Sequence, residues 1–73
     1  MARHDTETDA TALDRERALD THQVSDLVGL SPITLAQMRA RGEGPRFFRA
    51  SARAVRYRLG DVLAWRDART AGR

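Results

Sequence analysis

Gly29-Leu30-Ser31-Pro32-Ile33-Thr34-Leu35 stops one helix and starts another. Glycine ends helices because it takes left-handed backbone without strain. A serine followed by proline opens them: the serine oxygen accepts from free amides, and proline lacks an N–H that the first turn would not use. Upstream, Thr21 stands at an N-cap position before His22-Gln23-Val24-Ser25-Asp26-Leu27-Val28, where Val24, Leu27 and Val28 recur on one helical face. Leu30 then drops inward as a staple for the next helix. That second helix is expected to run to about Ala40, with Leu35 and Met38 inward, Ile33, Ala36, Gln37 and Ala40 on the opposite face, and Gly42 as its stop.

Beyond Gly42-Glu43-Gly44-Pro45, the runs Phe47-Phe48-Arg49 and Val55-Arg56-Tyr57-Arg58 read as two strands separated by Ala50-Ser51-Ala52-Arg53-Ala54. Alternation puts Val55 and Tyr57 on one face and Arg56 and Arg58 on the other, a ribbon with a basic side. Gly60 or Asp61 is the expected cap of a last helix that turns Val62 and Trp65 inward and frays through Arg69. Residues 1–18 mix acidic residues with Thr, Ala and Arg and read as a flexible acidic arm, with a short helical turn allowed around Leu13 to Leu19. The expected fold is mainly α with a small β-hairpin: helix, helix, two-stranded wing, helix over 19–69, then a basic tail at 70–73. Its expected core is Val24, Leu27, Leu30, Leu35, Met38, Val55, Tyr57, Val62 and Trp65.

A chain of 73 residues builds one small core. With no cysteine, disulfides and thiolate metal sites are excluded. No apolar run approaches the roughly 20 residues of a membrane span, and the start of the chain lacks a signal-peptide core; a cytoplasmic, nucleoid-associated protein is the expectation. The net charge of +3 hides a division: residues 1–31 hold three arginines against seven carboxylates, a net −4, and residues 32–73 hold ten against three, a net +7. The basic half is the expected surface for a polyanion. All thirteen basic side chains are arginine, which suits bidentate phosphate contacts and equally suits a GC-rich coding sequence.

Thr21 with the helix to Val28, Gly29-Leu30-Ser31-Pro32, Thr34-Leu35, Arg41-Gly42, Gly44-Pro45, Val55-Arg56-Tyr57-Arg58 and Asp61-Val62 with Ala64-Trp65 follow one another in an order that resembles the small winged helix-turn-helix domains of the MerR superfamily, in particular its AlpA-like and excisionase-like members. The resemblance covers about 45 of the 73 residues. It implies a DNA-binding protein with its second helix in the major groove and its wing in the neighbouring minor groove. It further implies an excisionase, or recombination directionality factor, that binds repeated sites, bends DNA and helps an integrase excise a mobile element. Small transcriptional regulators share the same motifs; those that sense effectors usually carry a long dimerisation helix after the wing, which this chain is expected to lack. Three features depart from the family pattern: the wing tip Ala50-Ser51-Ala52-Arg53 lacks glycine, Met38 replaces a common aromatic, and Ile33 and Leu63 are apolar where exposure is expected.

The candidate DNA contacts on the second helix are Ser31, Ile33, Thr34, Gln37, Arg39 and Arg41. Thr34 is expected on phosphate, Gln37 on adenine, Ile33 on a thymine methyl, and Arg39 and Arg41 on phosphates at the edges. On the wing the candidates are Arg49, Arg53, Arg56 and Arg58. The expected partners are double-stranded DNA, further copies of the chain head-to-tail on it, and an integrase, with no membrane and no cofactor. A protein-interaction module with a basic face is the competing class. Catalysis and metal binding find no support in the sequence: His4 and His22 stand without a second ligand at metal spacing, and the glycines around Glu43 lack the lysine of a phosphate loop.

Overall fold

The computed structural model describes residues 14–71. Three helices and three strands follow in the order β1 (Ala18–Leu19), α1 (Thr21–Val28), α2 (Pro32–Ala40), β2 (Phe48–Ser51), β3 (Ala54–Arg58) and α3 (Leu59–Ala71). The fold is thus mixed α/β, where the sequence pointed to mainly α. The sheet is antiparallel in the order β1-β3-β2. Ala18 lies opposite Arg58 and Leu19 opposite Tyr57; the helical turn allowed around Leu13 to Leu19 is present in part, at residues 14–15 with the Arg17 N–H donating to Asp14 C=O at 3.0 Å, before the chain turns into this short strand. The acidic arm expected at 1–18 falls outside the described residues up to residue 13.

Local chemistry sets the helix ends. Asp20, not Thr21, caps α1: its Oδ1 accepts from the Gln23 N–H at 2.8 Å, and the Gln23 Oε1 accepts from the Asp20 N–H at 2.9 Å. This reciprocal box requires a Gln or Glu at the third helical position, which Gln23 supplies only if Asp20 is the cap. Gly29 closes the helix in left-handed backbone, as expected. Ser31 caps α2 and Pro32 opens it. Its far end is a Schellman turn, with Glu43 N–H donating to Met38 C=O at 2.8 Å and Gly42 N–H to Arg39 C=O at 3.1 Å. Gly42, at φ 74°, supplies the left-handed residue this motif needs.

The hairpin departs from its expected bounds. Its first strand runs Phe48–Ser51 rather than over 47–49, and the turn shrinks to Ala52-Arg53. Neither turn residue has positive φ, so the tip lacks the primed geometry that follows the twist of paired strands. A bulge between Arg49 and Ser51 takes up the mismatch. The last helix needs neither Gly60 nor Asp61 as a cap. It begins directly after β3, with the Leu59 N–H donating to Arg17 C=O at 2.9 Å, and it extends to Ala71, two residues into the expected tail.

The core is five side chains: Leu19, Val24, Leu35, Tyr57 and Val62. Each comes from a different element, and β2 supplies none. Val28, Leu30, Met38, Val55 and Leu59 pack partly buried around them. Leu27, expected inside, is 36% exposed because Val24, Val28 and Leu30 already fill that side of so short a helix. Trp65 is half-buried and outside the cluster, since α3 leaves the core one turn after Val62; the Arg69 guanidinium lies 4.7 Å from its ring centre instead. Leu63, expected in solvent, is half-buried.

Candidate nucleic-acid interface

α2 turns an uncharged strip outward. Ile33 is 71% exposed, and Ala36, Gln37 and Ala40 are exposed beside it. Ser31 and Thr34 are committed to the helix start: Ser31 Oγ accepts from the Thr34 N–H at 3.0 Å and donates to Thr34 Oγ1 at 2.9 Å. Small residues flanking one glutamine and one isoleucine give a flat surface that can approach closely, with one bidentate amide and one methyl-bearing chain to discriminate what it meets.

The arginines divide into two groups by their partners. Arg41 pairs with Glu43 at 3.1 Å, Arg17 with Asp14 at 3.6 Å, and Arg66 with Asp67 at 3.6 Å. Arg58 pairs with Glu16 at 3.1 Å and Asp61 at 3.5 Å, and its guanidinium lies over Phe48. By contrast Arg46, Arg49, Arg53 and Arg56 pair with no carboxylate among the described residues. All four belong to the hairpin or the loop leading into it. Arg15 and Arg69 also lack such a pair; Arg15 lies outside the hairpin, just before β1, and the Arg69 guanidinium lies over Trp65.

Arg39, expected on an edge phosphate, faces inward. Its Nη1 donates to the Tyr57 hydroxyl at 2.6 Å and to Thr21 Oγ1 at 3.4 Å. Its guanidinium carbon stands 5.9 Å from the ring centres of both Phe47 and Tyr57. These contacts tie α2 to the start of α1 and to the hairpin while leaving the charge without a counterion among the described residues. The sequence displayed the arginine but not the buried phenol awaiting it. Arg41 and Arg58 are likewise drawn toward protein carboxylates.

Between the start of α1, the end of α2 and the hairpin lies a cleft of about 320 Å³, lined by Asp20, Thr21, His22, Arg39, Arg53, Val55 and Arg56. Arg46 and the α1 residues of this lining were missed as site residues. Arg46 was legible as one more cation beside the first strand, whereas the position of Thr21 and His22 depends on the tertiary fold. No described helix is long and apolar enough to cross a membrane. No protein-family model matches the chain, and no curated protein matches it in sequence.

Proposed function

We propose that this chain binds double-stranded DNA as a winged helix-turn-helix protein. In this reading α1 and α2 are the helix-turn-helix, the exposed strip of α2 lies in the major groove, and the β2–β3 hairpin is the wing along the adjoining minor groove. Gln37 is then the adenine reader and Ile33 the thymine-methyl contact. The observation that carries the reading is the distribution of ion pairs. Arg46, Arg49, Arg53 and Arg56 keep their charge uncompensated by any described carboxylate, and the exposed face of α2 is itself uncharged. Cations left without protein partners, together with an uncharged helix strip of small residues carrying one amide, suit a surface whose backbone is anionic and whose grooves present base edges.

Within that reading the chain is an excisionase that occupies repeated sites side by side, bends the DNA and assists an integrase. The resemblance of its motifs supports this role. So does the small size of the surface: one helix and one hairpin give modest affinity, which neighbouring copies on repeated sites raise. A small transcriptional regulator would use the same surface without an integrase.

The test is a mobility-shift titration on the DNA that flanks the chain's own gene, at several salt concentrations and against random-sequence competitor. A ladder of discrete shifts that survives competitor is expected. With four unpaired arginines on phosphate, the log-log salt slope should be roughly −3 to −4. Shifts that competitor removes equally from every fragment would overturn sequence-specific binding. Excision assays with an integrase encoded nearby then separate the excisionase from the regulator.

A further inference from the structure

We infer that the cleft between α1, α2 and the hairpin seats one phosphate group of the DNA backbone, held by Arg53 and Arg56 with Arg39 behind them. The inference rests on the DNA-binding reading above and adds where the duplex is clamped between the two parts of the reader. The lining brings together three arginines and one acidic residue, Asp20. No ion pair among the described residues satisfies any of the three. Like charges gathered in one concavity repel each other, and an anion in the concavity relieves that cost.

The individual groups fit this role. Arg56 donates one Nη1 hydrogen to Val55 C=O at 2.8 Å, which fixes its plane across the edge of β3 and leaves its other donors for a ligand. Arg53 sits exposed at the hairpin turn with no hydrogen-bond partner among the described residues. Arg39 is immobilised by Tyr57 and Thr21 and contributes fixed positive charge rather than reach. Asp20 is turned to its own helix, accepting from the Gln23 N–H. Val55 is the one apolar residue of the lining, so an apolar ligand has nothing to bury against. The cleft is open to solvent on its outer side, so a phosphodiester of a duplex lying across it can enter.

The experiment follows backbone amides and arginine Nε–H signals of the full chain by NMR. It is titrated with sodium phosphate against sodium chloride at matched ionic strength, and separately with a short random-sequence duplex. Phosphate and duplex should both move Thr21, His22, Val55 and Arg56, and the duplex alone should also move Ile33 and Gln37. Arg56→Ala should weaken phosphate binding about tenfold or more, the loss of a charge-assisted contact. Asp20→Asn keeps an equally good helix cap and removes the one carboxylate that the described residues contribute to the cleft. It should tighten phosphate binding roughly threefold, as for one unit charge several ångströms away through water. If the duplex moves α2 and the hairpin while the cleft signals stay still, the phosphate seat is overturned and DNA binding stands. If free phosphate moves the cleft and the duplex moves nothing, the assignment to DNA is overturned. Weaker phosphate binding by a folded Asp20→Asn protein would overturn the electrostatic basis of the site.

Discussion

Arg56 and Arg58 stand two residues apart on the same face of β3, yet Glu16 and Asp61 hold Arg58 by ion pairs while Arg56 meets no carboxylate and folds back on Val55 C=O. The difference comes from what covers the strand. β1 pairs only with the Tyr57–Arg58 end, bringing Glu16 with it, and the first turn of α3 adds Asp61 there. Among the strands the Ala54–Arg56 end pairs only with β2, whose four residues are all exposed, and it borders the cleft at the start of α1. One end of β3 is therefore the junction of the fold, and the other is a charged edge open to a ligand. Alternation alone made these two arginines equivalent.

The sharpest way to break this division is at Tyr57, the largest fully buried side chain. Tyr57→Ala empties the place where α2, β1 and β3 meet, and an aromatic-to-alanine change in a core costs about 3–5 kcal/mol. For a chain this small that approaches its whole stability, so urea titration followed by circular dichroism should find it largely unfolded at room temperature. A cooperative transition near that of the parent would mean that Tyr57 is not the junction. Tyr57→Phe keeps the ring and removes the acceptor of the 2.6 Å bond from Arg39. Loss of a hydrogen bond to a charged group should cost about 1.5–3 kcal/mol, with the fold retained. A smaller loss would mean that Arg39 finds another partner or turns to solvent.

How far the sequence could be read follows the same line between local and long-range causes. Gly29, Ser31-Pro32 and Gly42 were legible as helix ends because caps are made by residues within a few positions of one another. β1 was not, because two residues become a strand only by meeting Tyr57 and Arg58 about forty positions later. Leu27 and Trp65 have the right spacing for an inward face, but spacing does not say how deep a five-residue core reaches. The candidate site divides likewise. The exposure of Ile33 and Gln37 followed from helical period, whereas Arg39 and Arg58 were drawn away by a phenol and by carboxylates remote in sequence.

The cap of α1 offers a smaller and cleaner test. Asp20→Ala removes the side chain that accepts from the Gln23 N–H and should cost about 1 kcal/mol. Thr21→Ala removes only a 3.4 Å contact from Arg39 and should cost about half as much or less. Equal losses in thermal unfolding would return the cap to Thr21.

The smallest expected effects separate the two arginines themselves. The Arg58 guanidinium shares itself between two partly exposed carboxylates, and surface pairs of this kind contribute about 0.2–1 kcal/mol, less as salt rises. Arg58→Ala should therefore lower the unfolding midpoint slightly in dilute buffer and hardly at all in concentrated salt. Because its charge is already spent on Glu16 and Asp61, the salt slope of DNA binding should stay unchanged. Arg56→Ala should do the reverse: unfolding close to the parent, and a DNA salt slope shallower by about one. An equal change of slope in both variants would mean that Arg58 releases its carboxylates when the duplex arrives, and that the knitted end of β3 opens on binding.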